Sequence, residues 1–204
     1  MISFRQWLTE NFTDDEVKTA NKTSRAAGAV SGKAIVPRYV EHHENTHHPD
    51  EKGKRKLLDF GAGHKAIHAA HLRSKGHDVT AHEFGANQQK GVHDPDALKK
   101  KHHLAYASNV LNVQSGHKMM HHTLSQVRHA LHHDGHFVAN YPDSPRKSNL
   151  THEDVEKHLK NHFHNVKRVK SVPSEGGKES KVSNKAPLFH CSHPKEDHEV
   201  KDPE

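Results

Sequence analysis

Asp59, Gly61, Gly63 and Glu83 are the residues whose types and spacing could do chemistry together, within the stretch KLLDFGAGHKAIHAAHLRSKGHDVTAHEF at residues 56–84. A carboxylate closes a short apolar run, two glycines leave the backbone bare at a sharp turn, and a second carboxylate follows about 20 residues on. That arrangement suits a nucleoside cofactor, because the second acid can accept hydrogen bonds from two ribose hydroxyls. The elements that must position these groups are legible around them. Leu57 and Leu58 start a buried strand ending at Asp59, and a helix is predicted from about His64 to Ser74, stopped by Lys75-Gly76. His77 to His82 alternates into a second strand that delivers Glu83.

Two cofactor classes share this geometry. Gly61-x-Gly63-x-x-Ala66 satisfies the dinucleotide pattern, so a nicotinamide-dependent oxidoreductase is one reading. Asp59 favours another: a pyrophosphate needs the turn free of negative charge, whereas S-adenosylmethionine (SAM) has no phosphate and carries a cationic amino-acid tail. LDFGAG, with Glu83 closing the second strand, resembles motifs I and II of the class I SAM-dependent methyltransferases, although Lys65 stands where that family has its third glycine. The resemblance implies SAM as cofactor. It also implies an α/β fold: a Rossmann-like, doubly wound, mostly parallel sheet with helices on both faces and a C-terminal antiparallel hairpin. Cofactor contacts would come from Asp59, Gly61, Ala62, Gly63, Glu83 and Phe84, with Ser108 at the end of the fourth family strand.

Around this centre, residues 1–53 read as a helical segment and polar linker, 54–194 as the cofactor domain, and 195–204 as a disordered charged tail. Ser3 with Gln6 and Thr13 with Glu16 form capping boxes ahead of two amphipathic starts. The small-residue segment that follows carries Arg25, Lys33 and Arg38 and is, by resemblance, a candidate lid; His42 to Lys56 is a linker by composition. Phe84 to His103 is too short for the family's helix, third strand and next helix, which predicts an abbreviated middle and a missing edge strand. Asp96 there is either the family's adenine-binding acid or part of an Asp-Pro turn.

Leu104 to Ser108 is a short buried strand, and SNVLNV at residues 108–113 resembles the segment after the family's fourth strand. Helix His117 to His132, the Asp134-Gly135 turn and strand His136 to Asn140 continue the order. Ligands of open parallel sheets collect outside the carboxyl ends of the strands, so Asn109, Asn112, Tyr141 and Arg146 are the candidate acceptor residues, with Arg146 and Lys147 suited to an anionic group. The chain lacks the Pro-Pro-aromatic tetrad of amino methylation and the Pro-Cys pair of cytosine C5 chemistry. Thr151 and Asp154 cap a last helix, and Val166 to Val172 with Ala186 to Cys191 predict the hairpin.

Composition bounds the rest. At 204 residues there is room for one α/β domain, and one cysteine excludes an intramolecular disulfide or a multi-cysteine zinc site. The absence of a long apolar run or a signal-type start predicts a cytoplasmic, non-membrane protein. Basic runs at Lys52–Lys56 and Lys99–Lys101 and a formal charge of +6 keep open a third reading, a noncatalytic nucleotide- or nucleic-acid-binding protein. The 26 histidines are the anomaly. His68, His71, His121, His122, His129, His132 and His133 fall at polar helix positions, which predicts exposed histidines, no dedicated metal site, and acid destabilisation through like-charge repulsion. His64, His68 and His71 could share one helix face and take up metal adventitiously.

Overall fold

The computed structural model describes residues 34–143, 148–173 and 181–202. Helices α1 (Ile35–His47), α2 (Ile67–Ser74), α3 (His117–His129) and α4 (His152–His162) flank six strands: β1 (Lys56–Phe60), β2 (Asp78–His82), β3 (His102–Ala107), β4 (Leu131–Asn140), β5 (Phe163–Val169) and β6 (Leu188–Pro194). The strands form one sheet in the order β2-β1-β3-β4-β6-β5. The first four run parallel, and β6 enters antiparallel between β4 and β5.

Side-chain alternation along each strand divides the core in two. Leu57, Val79, Leu104, Tyr106, Val138 and Leu188 face one way and pack with Val36, Val40, Ala69 and Leu72 of α1 and α2. Leu58, Phe60, Ala105, Phe137, Ala139 and Phe189 face the other way, against Met120, Leu124, Val127, Val155 and Leu159 of α3 and α4. The doubly wound sheet with its C-terminal hairpin is therefore as expected. So is the missing edge: among the described residues no strand lies outside β2, and Asp94 places its backbone N–H on Ala81 O there, at 2.9 Å.

Several boundaries differ from the sequence reading, each for a local reason. Helix α2 starts at Ile67 because Ala66 adopts a left-handed φ of 44°, which leaves His64 and Lys65 in the preceding turn. Helix α3 ends at His129: Ala130 O accepts bonds from the backbone N of His102, at 2.8 Å, and pairs with its ring Nδ1 at 3.1 Å. The Asp134-Gly135 pair then lies within β4, at a register shift opposite His102 and Leu104. The segment from His42 to His47, expected as linker, is the second half of α1, held down because Val36 and Val40 are fully buried against the sheet. Residues 195–202, expected as free tail, are tied to the α3–α4 surface. Arg128 pairs with Asp197 and donates to Lys195 O at 2.6 Å, and Asn161 exchanges two bonds with the backbone of Lys201, at 2.7 and 3.1 Å. The capping box of α4 is present as read, with Asp154 N donating to Thr151 Oγ1 at 3.1 Å. The two amphipathic starts and Arg25 and Lys33 lie outside the described residues, and no helix among those described is long and apolar enough to cross a membrane.

Candidate cofactor site

Because β1 to β4 are parallel, their carboxyl ends and the loops after Phe60, His82, Ala107 and Asn140 share one edge of the sheet. The chain leaves β1 for β2 on one side and returns to β3 on the other. The loop after β1 therefore stands at the topological switch point, where open α/β sheets bind ligands.

That loop is held on both sides. Gly61 N and Ala62 N donate to His82 O at 3.0 and 2.9 Å, which folds the turn over the end of β2. Gly61 has a φ of 72°, and a Cβ on it would meet Val110 Cγ2 at 2.7 Å, so only glycine lets the loop after β3 approach this closely. Gly63 has a φ of 71° with nothing within 4 Å of a Cβ position, leaving its surface open to a ligand. Glu83 completes the turn from β2: Oε2 accepts from Gly63 N at 2.6 Å and Oε1 from Phe84 N at 2.8 Å. Burial raises its pKa and these two bonds pull it back. Each oxygen keeps a further lone pair, the capacity a ribose diol needs. Phe84 is half-buried and packs edge-on against Phe60 and His82.

Asp59 is 1% exposed, and its Oδ2 accepts from Ala69 N at 3.1 Å. Ala69 is in the first turn of α2, whose own N-cap residue Ala66 has no capping side chain, so Asp59 serves that helix start from the neighbouring strand. Burial pushes its pKa up to about 7 against the stabilising effect of the Tyr106 hydroxyl and the Ala69 amide. The carboxyl thus anchors the start of α2 to β1.

The abbreviated middle contributes residues that spacing alone did not reveal. His93 accepts from Gln89 N on Nδ1 at 2.9 Å, so its Nε2 carries the proton and donates to Gly63 O, also at 2.9 Å. The Gln89 amide pairs with His64 Nε2 at 2.8 Å. Residues 85–93 therefore fold back on the glycine turn from the β2 side. The available signal was the shortness of the segment between β2 and β3.

The candidate acceptor residues separate. Asn109, at a left-handed φ of 59°, and Asn140, at the end of β4, bind reciprocally: Asn109 N donates to Asn140 Oδ1 and Asn140 Nδ2 to Asn109 Oδ1, both at 2.7 Å. Ser108 is half-buried beside them, and Asn112 is buried in the 3-10 turn Leu111–Val113 on the same edge. Tyr141 instead belongs to the α3–α4 core, fully buried with its hydroxyl donating to Leu150 O at 2.9 Å. Asp96 is exposed and paired with Lys99. Arg146 and Lys147 lie outside the described residues. Much of the two basic runs is engaged internally: Lys100 pairs with Asp94, Lys101 donates to His129 O at 2.8 Å, and Arg55 binds Glu44 at 2.8 Å. His64, His68 and His71 do not form one helical stripe, since His64 precedes α2, and His71 lies 3.4 Å from Glu41.

The fold built around this edge is that of the Rossmann-like SAM-dependent methyltransferases. The chain is similar to the solved structure of a TehB-like SAM-dependent methyltransferase from Corynebacterium glutamicum, with a TM-score of 0.56 at 16% identity, over 89% of this chain and 97% of that one. It is similar to magnesium protoporphyrin IX methyltransferase from Synechocystis with bound SAM, with a TM-score of 0.55 at 11% identity, over 91% and 100% of the two chains. Against the CurJ carbon methyltransferase the TM-score is 0.54 at 17% identity, and the match covers 92% of this chain but 61% of that chain's length. No protein-family profile matches the sequence, and no curated protein sequence does.

Proposed function

We propose that this chain is a small SAM-dependent methyltransferase acting on a small-molecule acceptor. The observation that carries the reading is the bond from Gly63 N to Glu83 Oε2, which joins the glycine turn and the diol-binding acid into one frame at the switch point. The residues fit the cofactor: Gly63 leaves open space, the Glu83 carboxylate keeps acceptor capacity, and Ala62 and Phe84 flank them half-buried. Gly61 to Gly63 would hold the amino-acid tail side, and Glu83 and Phe84 the nucleoside side. When bound, SAM supplies a methyl on a sulfonium with a thioether leaving group. What remains for the chain is orientation and the exclusion of water, which can lower a barrier substantially without a dedicated base. Asn109 and Asn112 on the loop after β3 are the acceptor-facing groups of this reading, and Asn140 is a positioning residue that fixes Asn109. The basic runs give little support to a nucleic-acid acceptor at this edge, because Arg55 and Lys99 to Lys101 precede β1 and β3, at the opposite ends of the strands, and Arg55, Lys99, Lys100 and Lys101 are paired within the chain. A cytoplasmic location accords with this chemistry.

Calorimetry with SAM, S-adenosylhomocysteine and NAD in parallel tests the cofactor. S-adenosylhomocysteine is expected to bind and raise Tm, and Glu83→Ala to weaken it by about 10-fold or more, as loss of a charged hydrogen-bond acceptor costs ~1.5–3 kcal/mol. Tighter binding of NAD would instead select the oxidoreductase reading. A screen of acceptors with labelled SAM then tests turnover.

A further inference from the structure

His43 on α1, His136 on β4 and His190 on β6 come together on the sheet face that α1 covers, with one ring nitrogen from each lying within 4.8 Å of the others. Their ring centroids are 4.8, 5.0 and 5.4 Å apart. His43 is 6% exposed and its Nε2 has no hydrogen-bond partner, a cost that folding does not ordinarily leave standing. His136 Nδ1 and His190 Nε2 are 2.7 Å apart, and the other nitrogen of His190 meets the Tyr39 hydroxyl at 2.8 Å. These rings do not touch the cofactor edge: His136 lies four residues before the carboxyl end of β4, roughly 13 Å along the strand.

We propose that His43, His136 and His190 form a Zn2+ site that clasps α1 to the sheet. Three imidazoles are a common zinc ligand set, and Tyr39 stands where a ligating histidine needs an outer partner. With Zn2+ on Nε2 of His190, Nδ1 of that ring carries the proton and donates it to the Tyr39 oxygen, fixing both tautomer and ring orientation. Nε2 of His43, otherwise unsatisfied, gains a partner. Tetrahedral zinc at ~2.0–2.1 Å from each nitrogen sets ligand nitrogens about 3.3 Å apart, so His136 and His190 need to separate by about half an ångström and the His43 nitrogen, within 4.8 Å of theirs, to close toward the same spacing. The fourth position falls to water or to His47, whose ring centroid is 4.6 Å from that of His43. A second trio, His43, Glu44 and His48, shares His43, but Glu44 already accepts from Arg55 at 2.8 Å, which favours the all-imidazole set. The three ligands come from positions 43, 136 and 190, a separation no linear motif encodes.

The test uses tag-free protein, stripped with chelator and titrated with Zn2+ against a chromophoric competitor, with Co2+ as a spectroscopic stand-in. The expected result is one tight equivalent that raises Tm and gives the visible bands of tetrahedral Co2+. Tyr39→Phe, which keeps the ring and removes the outer partner, should weaken that equivalent by about 10–100-fold. His136→Gln should abolish it, and His64→Ala with His68→Ala, remote from the trio, should leave it within about two-fold. Weak uptake of several equivalents, indifferent to Tyr39→Phe and His136→Gln, would overturn the proposal.

Discussion

Gly61 carries two separate constraints, and they can be told apart. Its left-handed backbone disfavours any side chain, and a Cβ would also strike Val110 at 2.7 Å, whereas Gly63 has the same backbone with open space around it. Gly63→Ala is therefore expected to cost about 1–2 kcal/mol, the left-handed penalty alone. Gly61→Ala should cost more, and Val110→Ala should recover part of the difference. A double-mutant cycle by urea unfolding measures this coupling, and additivity within ~0.3 kcal/mol would show that the Val110 contact is not the limiting one. Tyr141 marks the opposite case, a residue chosen for its place after a strand and found to be core. Tyr141→Ala should destabilise by about 3–5 kcal/mol, as large core deletions do, with any loss of turnover following unfolding and not acceptor binding.

At the scale of elements, the chain fastens its pieces with caps and cross-strand side chains where regular hydrogen bonding ends. Thr151→Ala removes one half of the α4 capping box and should cost about 0.5–2 kcal/mol in thermal or urea unfolding. Asp59 caps α2 from the adjoining strand, so Asp59→Ala leaves the buried Ala69 N–H unpaired and should cost about 1–3 kcal/mol even without cofactor. The Asn109–Asn140 pair does the same for the loops after β3 and β4. Asn140→Ala is expected to lower turnover while leaving S-adenosylhomocysteine affinity within a few-fold, because the glycine turn and Glu83 are held independently. Equal losses in both measurements would show that Asn140 supports the cofactor frame as well.

For the whole molecule, the histidines make acid the weak side of stability, by a route other than the one their number suggests. His82, His122 and His158 are buried and held at about 4, and His162, wholly buried, is lowered further; in each, desolvation is the largest cause and neighbouring charge the lesser. With folded values below the unfolded value near 6.5, the unfolded chain binds more protons between about pH 6.5 and 4, so stability falls as pH is lowered through that window. Asp59 opposes this. Its folded value of about 7 exceeds the unfolded carboxyl value, so its contribution is lost as pH rises; burial raises Glu83 as well, and these two acids are outnumbered by the histidines. Tm should therefore drop steeply between pH 6.5 and 4.5. Because burial and not surface repulsion dominates, raising salt at pH 5 should restore little of it, and a large recovery would return the effect to exposed charge.

LDFGAG, Glu83 and the order of apolar runs determined the parallel sheet, the switch-point edge, the missing edge strand among the described residues and the turn that Glu83 holds at Gly63, because glycine turns, strand alternation and caps are local properties written in adjacent residues. Gln6, Thr13, Thr151 and Asp154 read as caps for the same reason, and the last two are seen to act as such. Tertiary packing alone decided what each polar side chain does. Asp59 read as a cofactor contact and is buried, capping α2; Tyr141 sat at a strand end and is core; His43 lay in a polar stretch and is buried on the face of α1 that meets the sheet. Burial and partnership depend on which distant element arrives on which face, and a composition of 26 histidines hides that choice completely, since imidazole is equally at home on a wet helix face, in a buried pair or at a metal.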